Sequence, residues 1–145
     1  MVSMIYTMVL IFSTSAYDAY QKENYEEALR GWIDERAKYP EDTDILAHIG
    51  NAHYKMGAWH EAEKAYSAAL AATGDNQRKA QLHYDLGNCA YRSGRLDEAI
   101  KQYQMALQFD SKDEDSKYNL EFVRKEMQRR KDEMKKQAEK QQEDK

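Results

Sequence analysis

Apolar and small residues recur in one order along two stretches of the chain, 37 positions apart. The stretch IGNAHYKMGAWHEAEKAYSAAL begins at Ile49 and LGNCAYRSGRLDEAIKQYQMAL begins at Leu86, and the two align without a gap. In each stretch, helical patterns flank a glycine, which predicts a helix–turn–helix unit. One step upstream the period is 34, so that Tyr20 matches Tyr54. The pattern predicts an all-α chain of three units at about 9–42, 43–79 and 80–112.

Glycine occurs inside these helices at positions where alanine would make the helix more stable. A glycine within a helix costs about 1 kcal/mol relative to alanine, so each one needs a packing reason. We expect Gly50 and Gly87 on the first helix of their units, where the second helix of the same unit crosses closely. Ala62 and Ala99 are expected on the second helices at the same crossing.

The turns and the repeat length together resemble a known family. Gly57 and Gly94 fall shortly before a second helix, where a helix C-terminus favours a residue that tolerates positive φ. A 34-residue helix pair with small residues and a turn glycine at these positions resembles the tetratricopeptide repeat (TPR). The resemblance implies a solenoid whose concave face is lined by the first helices. The first unit departs from the pattern, with Ala16 at the packing glycine and Glu23 at the turn glycine.

After the third unit the chain changes from patterned to charged. One more helix is predicted from 113, and it would cap the open end of a TPR domain spanning 17–123. Its apolar positions are Tyr118, Leu120, Phe122 and Val123. Residues 124–145 form a Gln/Lys/Glu-rich tail, expected to extend the capping helix and fray, with a weak coiled-coil strand or disorder as alternatives. The chain has a net charge of −4, and acidic residues interleave the basic ones of the tail, so nucleic acid is not an expected partner.

The N-terminal segment 1–16 is uncharged and holds a short apolar run at 8–12. That run is too short to span a bilayer, which takes about 20 residues. One interpretation is a signal-like segment or the remnant of a membrane tether, with Thr14 and Ala16 at the −3 and −1 positions of a cleavage site. The other places Phe12 and Ala16 at core positions of the first repeat, where cleavage would remove half a helix.

Residues that commonly carry chemistry form no recognised site. The histidines are His48, His53, His60 and His83. None of them is spaced convincingly with another metal-ligating residue to form a metal-binding pair. There is no glycine-rich phosphate loop, nucleophile elbow or HExxH sequence. Cys89 lies among apolar residues and is expected in the core. We therefore expect no enzyme, no cofactor and no metal, and a function in recognition.

The concave face is the expected recognition surface. Its predicted groove residues are Asn51, Tyr54, Lys55, Tyr84, Asn88, Tyr91 and Arg92. Asparagine can bond a peptide backbone in both directions, and tyrosine offers area and a hydroxyl. Because asparagine adds little to a core, Asn51 and Asn88 are expected to contact the partner, whereas Tyr54 and Tyr91 either contact it or pack between helices. The basic pair with which some TPR domains clamp a peptide carboxylate is absent from these faces.

The C-terminal half has a narrower resemblance. The 37-residue step, the spacing of the LGN, tyrosine and glycine positions, the sequence DEDSKYNLEFVR and the charged tail resemble the TPR component of bacterial aerotolerance (Bat) operons. This resemblance implies a partner such as a von Willebrand A domain membrane protein, and a location in the bacterial cell envelope, with the cytoplasm as the alternative. The expected function is a non-catalytic scaffold that binds a protein or peptide in its groove. The alternative is a self-assembling homo-oligomer that docks its N-terminal segment into a neighbour's groove.

Overall fold

The chain is helical through almost all of the part that the structure describes. A computed structural model describes residues 15–143, and within them seven helices follow one another. They are α1 (15–21), α2 (Tyr25–Arg36), α3 (Thr43–Lys55), α4 (Trp59–Ala72), α5 (Asn76–Arg92), α6 (Leu96–Phe109) and α7 (Glu114–Glu143). Helices α1 to α6 form three helix–turn–helix pairs that pack in chain order, and α7 packs on α6. This arrangement confirms the predicted all-α solenoid of about three repeats with a capping helix.

The turn inside each repeat has one backbone geometry. Gly57 and Gly94 have φ of 75° and 77°, and Glu23 has φ of 61° at the equivalent place in the first repeat. In all three turns the N–H of the next residue bonds to a carbonyl in the last turn of the preceding helix at 2.9 Å. Left-handed backbone of this kind suits glycine because a Cβ is strained there. The two glycines therefore end the first helices without strain, and Glu23 does so at a cost.

The two helices of a repeat cross at a glycine that faces a tyrosine ring. A Cβ added to Gly87 would lie 2.6 Å from Cε1 of Tyr103, and one added to Gly50 would lie 2.5 Å from Cε1 of Tyr66. Real Cβ atoms almost never come so close to another atom, so both glycines are required by the ring that covers them. The three atoms nearest to each glycine belong to that ring, so a tyrosine that the sequence did not indicate limits the size of the residue there.

The alanines predicted at the crossing lie in the buried core. Ala62 and Ala99 are fully buried in the clusters that join one repeat to the next. Ala62 shares its cluster with Leu82 of the third repeat, and Ala99 shares its cluster with Leu120 of the capping helix. Small side chains there let neighbouring helices approach closely, so they stabilise the stacking of repeats.

The first repeat reverses the size pattern at its crossing. Ala16 occupies the position of the packing glycine, and a Cβ added to Gly31 of α2 would lie 2.8 Å from the Ala16 Cβ. The small residue has thus moved to the second helix. Ala16 is 2% exposed, within the core.

Of the hydrophobic segment predicted at 1–16, residues 1–14, including Thr14, lie outside the described residues. None of the helices within 15–143 has the length and apolar character needed to cross a membrane.

The capping helix continues into the tail. Leu120 and Val123 of α7 are buried against the third repeat, whereas residues 128–142 are all exposed. Oppositely charged side chains one turn apart line this exposed length, with Arg129 bonded to Glu126 and Glu133. Such pairs stabilise an exposed helix only weakly, because water and salt screen the charges.

Candidate functional site

The concave face carries one equivalent position in each of the four first helices. The repeat spacing places Tyr17 of α1, Asn51 of α3, Asn88 of α5 and Phe122 of α7 in register. Tyr17 is 53% exposed and Phe122 is 46% exposed, and the two asparagines between them are half-buried. The face therefore runs from an aromatic ring, over two amides, to a second aromatic ring. Sequence reasoning missed Tyr17, although a step of 34 back from Asn51 leads to it.

The two asparagines bind the second helix of their own repeat. The Tyr66 hydroxyl donates to Oδ1 of Asn51 at 2.7 Å, and the Tyr103 hydroxyl donates to Oδ1 of Asn88 at the same distance. Asn119 of α7 also donates to Oδ1 of Asn88, at 3.2 Å. The expectation that asparagine adds little to the core is therefore wrong, because these amides satisfy buried tyrosine hydroxyls.

In both asparagines the amide oxygen is used within the protein, and the amide nitrogen is the remaining hydrogen-bonding group. Within the described residues, the Nδ2 groups of Asn51 and Asn88 make no hydrogen bond to the protein. With Oδ1 held by a tyrosine hydroxyl, each Nδ2 is fixed in direction. An amide nitrogen has two N–H donors, so each asparagine can donate to a peptide carbonyl while keeping its internal bond.

Aromatic rings cover the end of the groove nearest the capping helix. Tyr91 of α5 meets Phe122 edge to face with ring centroids 5.8 Å apart, and Tyr118 stacks beside Phe122 at 6.4 Å. Tyr118 is 70% exposed, whereas Tyr91 is half-buried against the third repeat. Tyr84 is half-buried, and its ring lies 6.0 Å from that of Tyr103. Tyr54 of α3 is also half-buried, and it packs on the core cluster that contains Tyr66. The predicted tyrosines thus have packing contacts, and Tyr118 and Phe122 offer the larger exposed aromatic surface.

The predicted basic residues stand at the rim. Lys55 is exposed at the end of α3, and Arg92 is exposed at the end of α5. The Arg92 guanidinium lies 5.5 Å above the ring of Trp59, the first residue of α4. That contact holds Arg92 between neighbouring repeats. Burial raises the pKa of Tyr54, and the positive charge of Arg92 opposes that effect. Arg92 is therefore both a structural and a rim residue.

An acidic residue that sequence reasoning missed lies within the groove. Burial raises the pKa of Asp85 on α5 to about 7, against the smaller opposing effects of Gln81 and Arg78. Burial raises the pKa of Tyr20 on α1 and of Tyr54 on α3, and the negative charge of Asp85 adds to both effects. Asp85 is half-buried, and its charge acts at a distance on tyrosines of two other first helices. Its only sequence signal was a carboxylate one position after the predicted groove residue Tyr84.

Two of the four histidines, His48 and His83, and the cysteine have packing contacts. His48 stacks on Trp32 with centroids 4.9 Å apart, and burial lowers its pKa. His83 stacks on Phe109 and bonds Gln102 at 2.8 Å. Cys89 is fully buried, and burial raises its thiol pKa to about 12. In the part of the chain described, no three His, Cys, Asp or Glu side chains are grouped to hold a metal ion.

Solved structures share this arrangement of helices. The first TPR of Spaghetti (RPAP3) bound to the HSP90 peptide SRMEEVD is 15% identical, with a TM-score of 0.74 over 82% of this chain and 92% of that one. The second TPR domain of human RPAP3 in complex with the HSP70 peptide SGPTIEEVD is 18% identical, with a TM-score of 0.70 over 80% of this chain and 98% of that one. The Yersinia enterocolitica type III secretion chaperone SycD in complex with a YopD peptide is 16% identical, with a TM-score of 0.74 over 83% and 95%. At these identities the likeness establishes the fold.

Sequence comparison identifies the family. No curated protein sequence matches the chain. The tetratricopeptide repeat family model matches residues 14–76 and 48–114, which together cover most of the chain and all three helix pairs. The chain therefore belongs to the tetratricopeptide repeat family.

Proposed function

We propose that this protein is a non-catalytic scaffold that binds an extended peptide segment of a partner protein along its concave face. One observation carries the proposal. The register position shared by Tyr17, Asn51, Asn88 and Phe122 carries a ring or an amide on each of the four first helices, with the two rings about half exposed and the two asparagines half-buried. Two amide donors between two rings suit an extended chain, whose carbonyls can accept from the amides while its side chains contact the rings.

The aromatic and amide groups on this face contribute to binding in different ways. Tyr118 and Phe122 supply rigid aromatic area, and such residues dominate the binding energy of protein interfaces. Asn51 and Asn88 supply donors that are already oriented by their bonds to tyrosine, so little rotamer entropy is lost on binding. The face is therefore organised before the partner arrives.

Peptide binding by similar folds supports the proposal. The structures of RPAP3 and SycD named above hold bound peptides. The acidic peptides SRMEEVD and SGPTIEEVD are not expected to bind this chain, because its groove lacks the basic pair for a carboxylate and holds Asp85 instead.

The test is a selection of random peptides displayed on phage against the full chain, followed by affinity measurements on the selected peptides. Tyr118→Ala and Phe122→Ala are the groove variants, since the two residues are 70% and 46% exposed and neither belongs to the buried core. Ile33→Ala is the matched control, because Ile33 is 47% exposed on a second helix. Loss of an aromatic anchor costs about 2 kcal/mol or more, which weakens binding at least about tenfold. Equal loss in the control, or none in the groove variants, would refute the groove as the binding face.

We further propose that the partner is a von Willebrand A domain membrane protein of a bacterial envelope assembly of the Bat type. The support is the resemblance of the C-terminal half described above. Chemical crosslinking in native membranes followed by co-purification tests it, and recovery of cytoplasmic proteins alone would overturn it. Sedimentation over a range of concentrations separates this scaffold from the self-assembling alternative, which requires oligomers that grow with concentration.

A further inference from the structure

We propose that the end of the groove at the capping helix binds a proline-rich segment of the partner in the polyproline II conformation. The inference rests on the proposed function and specifies what the groove selects. The site, here called the aromatic corner, lies where helix α5 faces helix α7. It consists of one amide and three rings, those of Asn88, Tyr91, Tyr118 and Phe122.

Direct contacts between the two helices bring these side chains together. Asn119 of α7 donates to Oδ1 of Asn88 at 3.2 Å. One turn further along both helices, the rings of Tyr91 and Phe122 meet with their centroids 5.8 Å apart. The ring of Tyr118 stacks beside that of Phe122, with centroids 6.4 Å apart and ring planes 17° from parallel. The amide and the rings are therefore neighbours on one surface.

The amide of Asn88 offers a partner a donor and no acceptor. Its Oδ1 accepts from the Tyr103 hydroxyl at 2.7 Å and from Nδ2 of Asn119. Because an amide oxygen has two lone pairs, both are used within the protein, and Nδ2 of Asn88 remains to donate to a peptide carbonyl. A peptide N–H placed here would find no acceptor on this amide, and burying a donor without a partner is unfavourable. Proline has a carbonyl and no N–H, so it matches the amide.

The rings favour proline for a second reason. Tyr118 is 70% exposed and Phe122 is 46% exposed, so both can be covered by a ligand. Proline-rich segments dock on aromatic surfaces as polyproline II helices, which need no internal hydrogen bonds and are ordered before they bind. Exposed rings beside an oriented donor are the combination that such a segment requires.

Charged side chains beside these rings are paired with one another. Lys117 bonds Glu114, and Lys125 bonds Glu121, each at 2.6 Å along α7. Since each pair is neutral, the aromatic corner favours an uncharged segment over an acidic or basic one. Among uncharged apolar residues, the donor of Asn88 selects proline.

The experiment measures the binding of decaproline to the full chain by isothermal titration calorimetry, with a glycine–serine peptide of equal length as the control ligand. We expect saturable binding of decaproline and none of the control. Phe122→Ala should weaken it at least about fivefold, because the aromatic contact is lost. Ile33→Ala is the matched control variant, since Ile33 is 47% exposed on α2. Absence of saturable decaproline binding, or an equal loss in Ile33→Ala, would overturn the proposal.

A second variant tests the donor. Asn88→Asp keeps an acceptor for the Tyr103 hydroxyl and for Asn119, and it replaces Nδ2 with an oxygen that cannot donate to a peptide carbonyl. We expect decaproline to bind this variant about tenfold more weakly, while circular dichroism shows the helical content of the wild type. Full affinity would overturn the bond to Asn88 and the preference for a residue without an N–H.

Peptides selected on phage separate this inference from the proposed function. Selected peptides that need Tyr118 and Phe122 but carry no proline would overturn the proline assignment and leave the groove in place. Peptides whose binding ignores Tyr118→Ala and Phe122→Ala would overturn both. Peptides that contain proline, and bind at least about fivefold more weakly when it is replaced by alanine, would support the inference.

Discussion

Replacing Gly87 with alanine should destabilise the fold, although the same change stabilises an ordinary helix. In an exposed helix interior the substitution gains about 1 kcal/mol. Here the new Cβ would lie 2.6 Å from Cε1 and 2.7 Å from Cδ1 of Tyr103, whose side chain is 1% exposed. The ring cannot move into solvent, so the helices must separate or the ring must leave its rotamer. Overpacking of this kind costs about 1–3 kcal/mol.

The displaced ring also endangers the hydrogen bond from the Tyr103 hydroxyl to Asn88, which contributes about 1 kcal/mol. The net expectation is a loss of about 1–3 kcal/mol in the free energy of unfolding. Urea unfolding followed by circular dichroism measures it through the midpoint at constant m. Gly74→Ala is the control, because nothing lies within 4 Å of a Cβ at that position. A stabilised Gly87→Ala variant would refute the close contact with the ring.

Three further predictions use the same unfolding assay. Glu23→Gly should stabilise the protein by about 0.5–1 kcal/mol, because it relieves a positive φ, whereas Glu26→Gly in the first turn of α2 should destabilise it. Tyr103→Phe should cost about 1 kcal/mol, since the ring stays and only the bond to Asn88 is lost; no change would mean that the bond does not form in solution. Asp85 has its folded pKa raised from 3.8 to about 7, so the folded state holds its proton longer and wild-type stability falls as pH rises from about 4 to about 7. Asp85→Asn should therefore exceed the wild type by about 1–4 kcal/mol at pH 8 and equal it at pH 3, and a gap that is the same at both pH values would contradict the burial of the charge.

The repeats, their turns and the capping helix could be predicted from the sequence period, because these features depend on the local spacing of small and apolar residues. Gly57 and Gly94 could be placed from sequence, since a helix end that needs positive φ is a backbone requirement. The partner of Gly87 could not, because a glycine permits a close approach without indicating which side chain makes it.

The candidate site was harder to predict for the same reason. Asn88 was predicted as a groove residue, but its bond to Tyr103 joins two helices and depends on their crossing. Asp85 was missed because the desolvation of its carboxylate depends on how the helices pack around α5, which no local sequence pattern reports.

The most direct test of the central claim is an NMR titration of the full chain with a peptide selected on phage. The side-chain amide signals of Asn51 and Asn88 report directly on the two donors that the groove presents. Gln104, exposed on the second helix α6, serves as the internal control. The proposed groove predicts saturable shifts of both asparagine signals with Gln104 unchanged. Shifts confined to the second helices, with both asparagine signals unmoved, would contradict it.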